Sequence, residues 1–471
     1  MSDDSVLTPY ASGADAERVA TAFTDGEIPV AIYGLGKMGL PLAAVYAKTA
    51  GTVVGVDVDH SVVDAVNAGE SHVHGEPGLE ELVAEQVERG RLRATDDGGA
   101  AATAASVHVL IVPTLVTAAK EPDLSTIDAV LEDVAAGLDA GDLVILESTV
   151  PPGTARDVVQ PTLATRSGLD SDEFGVAVCP ERTASGSALR DITGQYPKVV
   201  GGVDQESASA AAALYDELTD AAVTVVSDAT TAEAVKVFEG VYRDVNIALA
   251  NELATLADGL GISVREAIET ANQLPVCDLH DPGPGVGGHC IPYYPHFLRA
   301  QTDRSLPLTT TARIVNDGMP AFTAELVETE LEAVGVPIEG AAVLVCGLTY
   351  RPGVPEMRAS PAVGVIDELR ERGADVAGVD PLVDPAEFGA RPVPIEAFPG
   401  VDVDAAVVVT PHEEFLAFDW DRLDRTVVID ARDALDLDGS DHRVRTLGGQ
   451  ATPRASEDPP LMVHRPGVID E

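Results

Sequence analysis

Three groups of residues in this chain have the types and spacing to do chemistry. The first is Gly34-Leu35-Gly36-Lys37-Met38-Gly39, followed by Asp57 at a distance of 21 residues from Gly36. In such a hexapeptide the first glycine permits a tight turn, the second lets backbone approach a pyrophosphate, and the third lets a helix pack on a strand. A carboxylate at the end of the next strand accepts the ribose hydroxyls and repels a 2′-phosphate, so NAD is expected rather than NADP. The second is Pro284-Gly285-Val286-Gly287-Gly288-His289-Cys290. A glycine loop directly before a cysteine gives a substrate close access to backbone and leaves the sulfur accessible, which marks Cys290 as a nucleophile. The third is Lys236, set among apolar residues in AEAVKVFEG. Only five lysines (37, 48, 120, 198, 236) accompany twenty-five arginines, so a lysine here points to chemistry that needs a compact ammonium.

These groups need elements to hold them. Apolar runs at 28–33, 52–58, 107–113, 143–147, 175–179 and 198–200 read as strands, with an Ala-rich helix at 40–50. Alternating strands and helices imply a doubly wound parallel sheet, because parallel strands need crossover helices. From 229 to about 260, Ala232, Val235, Phe238, Val241, Val245, Leu249 and Leu253 recur at helical steps. A helix that long is expected to span between domains or pack on a second copy of the chain. A second strand–turn–helix starts at 341. It is followed by a strand over 375–379 that ends at Asp380-Pro381, and by strands at 407–410 and 426–430. The fold class is therefore α/β: two Rossmann-like doubly wound domains joined by a long central helix with a small helical domain. The expected boundaries are an acidic extension over 1–26, an NAD-binding domain over 27–225, and a central catalytic and dimerisation segment over 226–325. A smaller Rossmann-like domain over 326–450 and an acidic tail over 451–471 complete the division.

Composition narrows the partners. With 471 residues, 45% of them apolar, the chain can bury full cores. Its net charge of −48 repels phosphate backbones and anionic lipid, so neither nucleic acid nor a membrane surface is an expected partner. Heavy acid, scarce lysine and many small residues are similar to proteins of salt-loving archaea, where salt screens such self-repulsion. The four cysteines, at 179, 277, 290 and 346, have no zinc-like spacing, and no metal is expected. Cys179 and Cys346 lie in strand-like runs and read as core residues. The N-terminal MSDDSVLTPY lacks the basic-then-apolar signature of a signal peptide, and no long apolar run is free of charge, so a cytoplasmic location is expected.

Seven motifs occur in order: GLGKMGLP, VPT at 112–114, ESTVPPGT at 147–154, CPER at 179–182, YRDVNIALANELA at 242–254, PGPGVGGHCIP at 282–292 and GLTYRPGVPEMRASP at 347–361. Together they resemble the UDP-sugar 6-dehydrogenase family, especially the branch that oxidises UDP-N-acetylmannosamine. The resemblance implies a four-electron, NAD-dependent oxidation of a sugar C6 hydroxyl to the uronate through a thiohemiacetal and a thioester on Cys290. It makes Lys236 the cation and proton shuttle, and Glu181 a carboxylate for hydrolysis or substrate positioning. Gly34, Gly36, Lys37, Met38, Gly39, Asp57, Thr114, Thr149 and Arg358 fall on cofactor positions. Arg182, Thr183, Arg243, Gly287, Tyr350, Arg351 and Arg432 fall on UDP-sugar positions, Arg351 standing where the family usually has lysine.

The sequence also departs from that pattern. Gly240 replaces an asparagine four residues after the lysine, and Tyr294 replaces an aspartate four residues after the cysteine. Leu274 and Val276 stand where the acetamido-sugar branch has His and Arg. UDP-glucose and UDP-N-acetylglucosamine are the alternative substrates, and a paralogue that binds NAD and UDP-sugar but turns over poorly is the alternative function. A homodimer or higher homo-oligomer through the long helix is expected.

Overall fold

Short runs of β-branched and leucine residues build the first sheet of the computed structural model, which describes residues 7–11, 13, 15–183, 186–288, 290–423 and 425–452. Its strands are β1 (Val30–Tyr33), β2 (Val53–Val56), β3 (Leu92–Thr95), β4 (Val107–Leu110), β5 (Leu143–Leu146), β6 (Gly175–Val178), β7 (Lys198–Gly202) and β8 (Val223–Val225). They lie in the order β8-β7-β6-β5-β4-β1-β2-β3. Val30 is in register with Val53 on one side and Val107 on the other. Every pairing is parallel except β6 with β7. Strands β1, β2, β4, β5 and β6 are buried at every residue, which is why they read as unbroken apolar runs rather than as alternation. The edge strands β3 and β8 alternate or are exposed, and that weakens their apolar signal.

Two helices define this unit's edge and its ligand side. Helix α1 (Ala16–Thr24) is capped by Asp15, whose side chain accepts from the Arg18 amide. Its Val19, Ala22 and Phe23 join the core, and Phe23 meets Tyr46 edge-on with ring centroids 6.0 Å apart. The stretch 1–26 is thus not an extension over its described residues. The spacing of Val19, Ala22 and Phe23 makes an apolar stripe that outweighs the surrounding acids. Helix α2 (Gly39–Ala50) is almost wholly buried behind the glycine loop.

Beyond these, α3 (Ala229–Ala254) is shorter than expected, since 257–260 form a separate turn of helix. It is followed by α4 (Tyr294–Arg299), α5 (Pro307–Ala333) and α6 (Pro361–Glu371). The second sheet contains β9 (Ala342–Cys346), β10 (Asp375–Val379), β11 (Arg391–Pro392), β12 (Ala405–Val408), β13 (Val427–Asp430), β14 (Arg443–Thr446) and β15 (Ala451–Thr452), in the order β11-β10-β9-β12-β13-β14-β15. Only β14 with β15 is antiparallel. The rest of the expected tail, residues 453–471, lies outside the described residues.

The chain forms two compact units, Met1–Gly240 with Tyr293–Ser305, and Val241–Pro292 with Leu306–Glu471. Residues 226–325, read from the sequence as one central segment, divide between them, and α3 changes unit after Gly240. Each unit carries the same strand–turn device. Gly34 donates its amide to the Val56 carbonyl (2.8 Å) and Gly347 to the Val379 carbonyl (2.9 Å).

Candidate functional site

In the first unit the glycine loop has the shape a dinucleotide needs. Gly34 has φ +97°, and a Cβ there would stand 2.6 Å from the Ile111 carbonyl oxygen, so no side chain fits. At Gly36 nothing lies within 4 Å of that position, which leaves its backbone open to a ligand. A Cβ at Gly39 would collide with the Gly34 carbonyl oxygen. The start of α2 has no side-chain cap and no acid in its first turn, so its amides are available to an anion. Asp57, half-buried at the end of β2, accepts from the Leu35 amide (2.9 Å) and the Asp59 amide (3.0 Å). That leaves carboxylate lone pairs for ribose hydroxyls. This donor set fits NAD. Lys37 is exposed and Met38 half-buried.

The loops beyond β4, β5 and β6 are tied together beside it. Thr114 Oγ1 donates to the Thr149 carbonyl, and the Val112 amide donates to Ser148 Oγ (2.9 Å). Thr183 Oγ1 donates to Met38 Sδ (2.9 Å), and the Thr183 amide donates to Glu181. These contacts bring CPER to the glycine loop. Arg182 is committed elsewhere: its Nε and Nη2 donate to Glu239 on α3 (3.3 and 2.6 Å). Lys236 is half-buried on α3, one turn after Glu233 and one turn before Gly240.

Sequence reasoning missed Glu233. It is 2% exposed, and its two oxygens accept from the Gly153 and Ala155 amides. It thereby fastens α3 to the loop that presents Thr149. Burial pushes its carboxyl up to about 7 against those hydrogen bonds. Behind the CPER loop, buried Tyr215 donates to Glu147 (2.5 Å), and buried Lys198 lies over the Tyr215 ring. Burial raises the Glu147 carboxyl above its usual range while Lys198 opposes the rise. The scarcity of lysine was the available signal for Lys198.

In the second unit the loop before Cys290 is packed face-on. A Cβ at Gly287 would stand 2.6 Å from Tyr350 Cβ, and one at Gly288, where φ is +81°, would stand 3.2 Å from the Tyr350 ring. The Gly288 amide donates to the Arg358 carbonyl (3.0 Å). Cys290 is exposed at the end of this loop, whereas Cys179 and Cys346 are sealed in the two sheets. Burial pushes the Cys179 thiol up to about 12 and Cys346 higher still. Burial also raises the Tyr350 phenol, with Glu356 adding to the rise. The Arg432 guanidinium lies against Gly283 and donates to the Val409 carbonyl (3.2 Å). Burial, then neighbouring Arg265, pushes it down to about 10. Arg243, Arg351 and Arg358 are exposed. Residue 289 lies outside the described residues.

What holds that loop was hidden in YRDVNIALANELA. Asn251 accepts from the Gly283 amide (2.8 Å) and donates to Asn316 on α5 (2.9 Å). Asn316 in turn donates to Asp244 (2.9 Å), which also receives Arg313 (2.5 Å). Asn246 accepts from the His280 amide (2.9 Å). Asp244 and Asn251 are fully buried and seven residues apart on one face of α3, the signal that a polar ladder was present.

Comparison with known proteins supplies the kinship. Models of the UDP-glucose/GDP-mannose dehydrogenase family match in order: the NAD-binding domain at 28–219, the central domain at 230–318 and the UDP-binding domain at 344–437. The chain belongs to this family. It is accordingly an NAD-dependent dehydrogenase, with NAD as cofactor and UDP-sugar 6-dehydrogenase activity as the family's reaction. UDP-N-acetyl-D-mannosamine dehydrogenase of Pyrococcus horikoshii is 35% identical over 411 residues, 86% of this chain and 96% of that one. NDP-N-acetyl-D-galactosaminuronic acid dehydrogenase of Ralstonia nicotianae is 36% identical over 415 residues, 86% and 95% of the two chains. A solved structure of the P. horikoshii UDP-D-ManNAc dehydrogenase superposes with TM-score 0.83 at 34% identity, covering 89% of this family member and 99% of that chain. No described helix is long and apolar enough to cross a membrane.

Proposed function

We propose that this dehydrogenase oxidises the C6 hydroxyl of UDP-N-acetyl-D-mannosamine to the carboxylate in two oxidations, by way of Cys290. The observation that carries the reading is the exposed Cys290 thiol at the end of a glycine loop stacked on Tyr350. Loss of a hydride from C6 and a proton from its oxygen gives the aldehyde, with Lys236 taking the proton and, as ammonium, facing the negative oxygen. The Cys290 thiolate adds to the aldehyde carbon and the oxygen regains a proton, forming a thiohemiacetal. Loss of a second hydride and the hydroxyl proton leaves a thioester. Water, oriented by Glu181, adds to the thioester carbonyl. The C–S bond breaks, Cys290 leaves as thiolate, and the acid ionises. NAD, when bound, accepts the hydride in each oxidation, so two are reduced per sugar.

Gly34, Gly36, Lys37, Met38, Gly39, Asp57, Thr114, Thr149 and Arg358 serve the cofactor in this reading. Thr183, Arg243, Gly287, Tyr350, Arg351 and Arg432 serve the UDP-sugar, and Arg182 joins them on release from Glu239. Tyr242, Leu249 and Leu256, each about half exposed, recur every seven residues along and just past α3. A second copy of the chain covers this stripe, since a two-fold axis makes such a stripe its own complement. The enzyme works in the cytosol of a salt-loving cell.

The sugar is the point that most needs an experiment, because similar relatives carry names for different hexosamine derivatives. Purified protein in molar KCl is given UDP-N-acetylmannosamine, UDP-N-acetylgalactosamine, UDP-N-acetylglucosamine and UDP-glucose in turn, with NADH followed by absorbance. Two NADH per UDP-N-acetylmannosamine, and none from Cys290→Ala, is the expected result. A different sugar oxidised with the same stoichiometry reassigns the substrate. A Cys290→Ala enzyme still yielding two NADH removes the covalent route.

A further inference from the structure

Gly240 sits inside a 26-residue helix, where glycine is a poor choice unless something needs its missing side chain. The first unit shows what needs it. A Cβ built at 240 would overlap Tyr294 Cδ2 and stand 2.7 Å from Cε2. The Tyr294 ring therefore lies directly on the α3 backbone, one turn from Lys236 and on the same face of the helix. The ring is 5% exposed and is backed by fully buried Phe297, with centroids 5.8 Å apart. Its phenol oxygen reaches Thr149 Oγ1 at 3.4 Å. The same Thr149 receives Thr114 at its carbonyl.

We propose that Tyr294 is a positioning residue of the cofactor half. Its phenol fixes the rotamer of the Thr149 hydroxyl, and Gly240 is the gap in α3 that admits its ring. The inference rests on the reading of Thr149 as a cofactor residue and adds a group that the glycine motif does not contain.

The test uses full-length protein in molar KCl, with NAD and UDP affinities measured separately by calorimetry and folding by thermal melts. Gly240→Ala lowers the melting temperature, and in a Tyr294→Ala background the same substitution lowers it no further. Tyr294→Phe keeps the ring and the melting temperature, weakens NAD binding about three- to tenfold, and leaves UDP binding alone. Thr149→Val weakens NAD binding, and adding Tyr294→Phe to it has no further effect. A Gly240→Ala protein that melts at or above the wild type overturns the packing argument. Unchanged NAD affinity in Tyr294→Phe, or additive losses with Thr149→Val, overturns the positioning role. Because NAD binding is read without turnover, failure of the sugar assay leaves these outcomes distinct.

Discussion

Glu233 makes the stability of the first unit depend on pH in a way that can be calculated. Its carboxyl titrates near 7 in the fold and near 4.5 when unfolded, so the folded state holds its proton more tightly. The sign follows: its contribution is fully present below pH 4.5 and is lost as pH rises through 7. The full loss is ~3.4 kcal/mol, from 2.5 pH units at ~1.36 kcal/mol each. Of this, ~1.4 kcal/mol is already lost at pH 5.5, which leaves a swing of ~2 kcal/mol between pH 5.5 and 8.5. Glu233→Gln cannot ionise and removes that swing, whatever its constant cost at the Gly153 and Ala155 amides. Wild type and variant are melted at both pH values in molar KCl, with far-ultraviolet circular dichroism as the probe. The only tryptophan, Trp420, lies in the second unit and would report the wrong transition. The wild type should lose about 4–8 °C relative to the variant on going to pH 8.5, at ~2–4 °C per kcal/mol. A difference between the two proteins that is the same at both pH values would refute the claim that burial governs this carboxyl.

Three further outcomes are expected. Lys198→Met strands Glu147 beside Tyr215 without its cation, costing about 3 kcal/mol in thermal melts, while the Glu147→Gln/Lys198→Met pair regains most of it. Asn251→Ala leaves the Gly283 amide and Asn316 without their partner. It lowers stability by about 1–3 kcal/mol and lowers kcat while the affinity for NAD holds, as calorimetry would show. With a net charge of −48, melting temperature should rise steeply between 0.1 and 1 M KCl, as the screening length falls from about 10 to about 3 Å. A melting temperature unmoved by salt would end the halophile reading.

The parts of the fold visible in the sequence are those where one interaction dominates. Central strands buried on both faces show as unbroken apolar runs, and the glycines at 34 and 39 are dictated by hard contacts with backbone. The edge strands β3, β8 and β11 lack that apolar signal, since much of their surface meets water. Helix α5 is hard to read because buried Arg313, Asn316, Thr323 and Glu330 interrupt the apolar stripe of Met319, Leu326, Val327 and Leu331 on its inner face. Helix α1 has only Val19, Ala22 and Phe23 as its buried stripe, too few to stand out beside Asp15, Glu17 and Asp25. The candidate site shows the same division. Cys290, Lys236 and the glycine loop are legible because their residue types are rare in their settings. Glu233 and Asn316 act through partners distant in sequence, which spacing cannot reveal.

Asp57 and Asp380 sharpen the point, because sequence presents them as equivalents: each ends the second strand of a Rossmann-like unit. Both accept from the amide that follows the turn glycine, Leu35 in one case (2.9 Å) and Leu348 in the other (2.6 Å). Their remaining surroundings differ. Asp57 is half-buried and has one further amide, from Asp59. Asp380 is buried, also accepts from Thr349, Leu382 and Val383, and lies 3.2 Å from His412 Nε2. His412 in turn contacts Thr349 Oγ1 (2.9 Å) and accepts from the Gly353 amide (3.3 Å). Each oxygen of Asp57 takes one amide, whereas each oxygen of Asp380 takes two, with His412 beside one of them. Little is left on Asp380 for a ribose, so in the second unit the same device braces the loop that carries Tyr350. The same turn thus serves two ends, and the number of lone pairs left over decides which. It follows that Asp57→Asn should weaken NAD binding with little change in folding, whereas Asp380→Asn should cost the second unit stability and displace Tyr350. Parallel calorimetry and melts of the two variants would separate the roles, and equal loss of NAD affinity in both would show that the distinction drawn here is wrong.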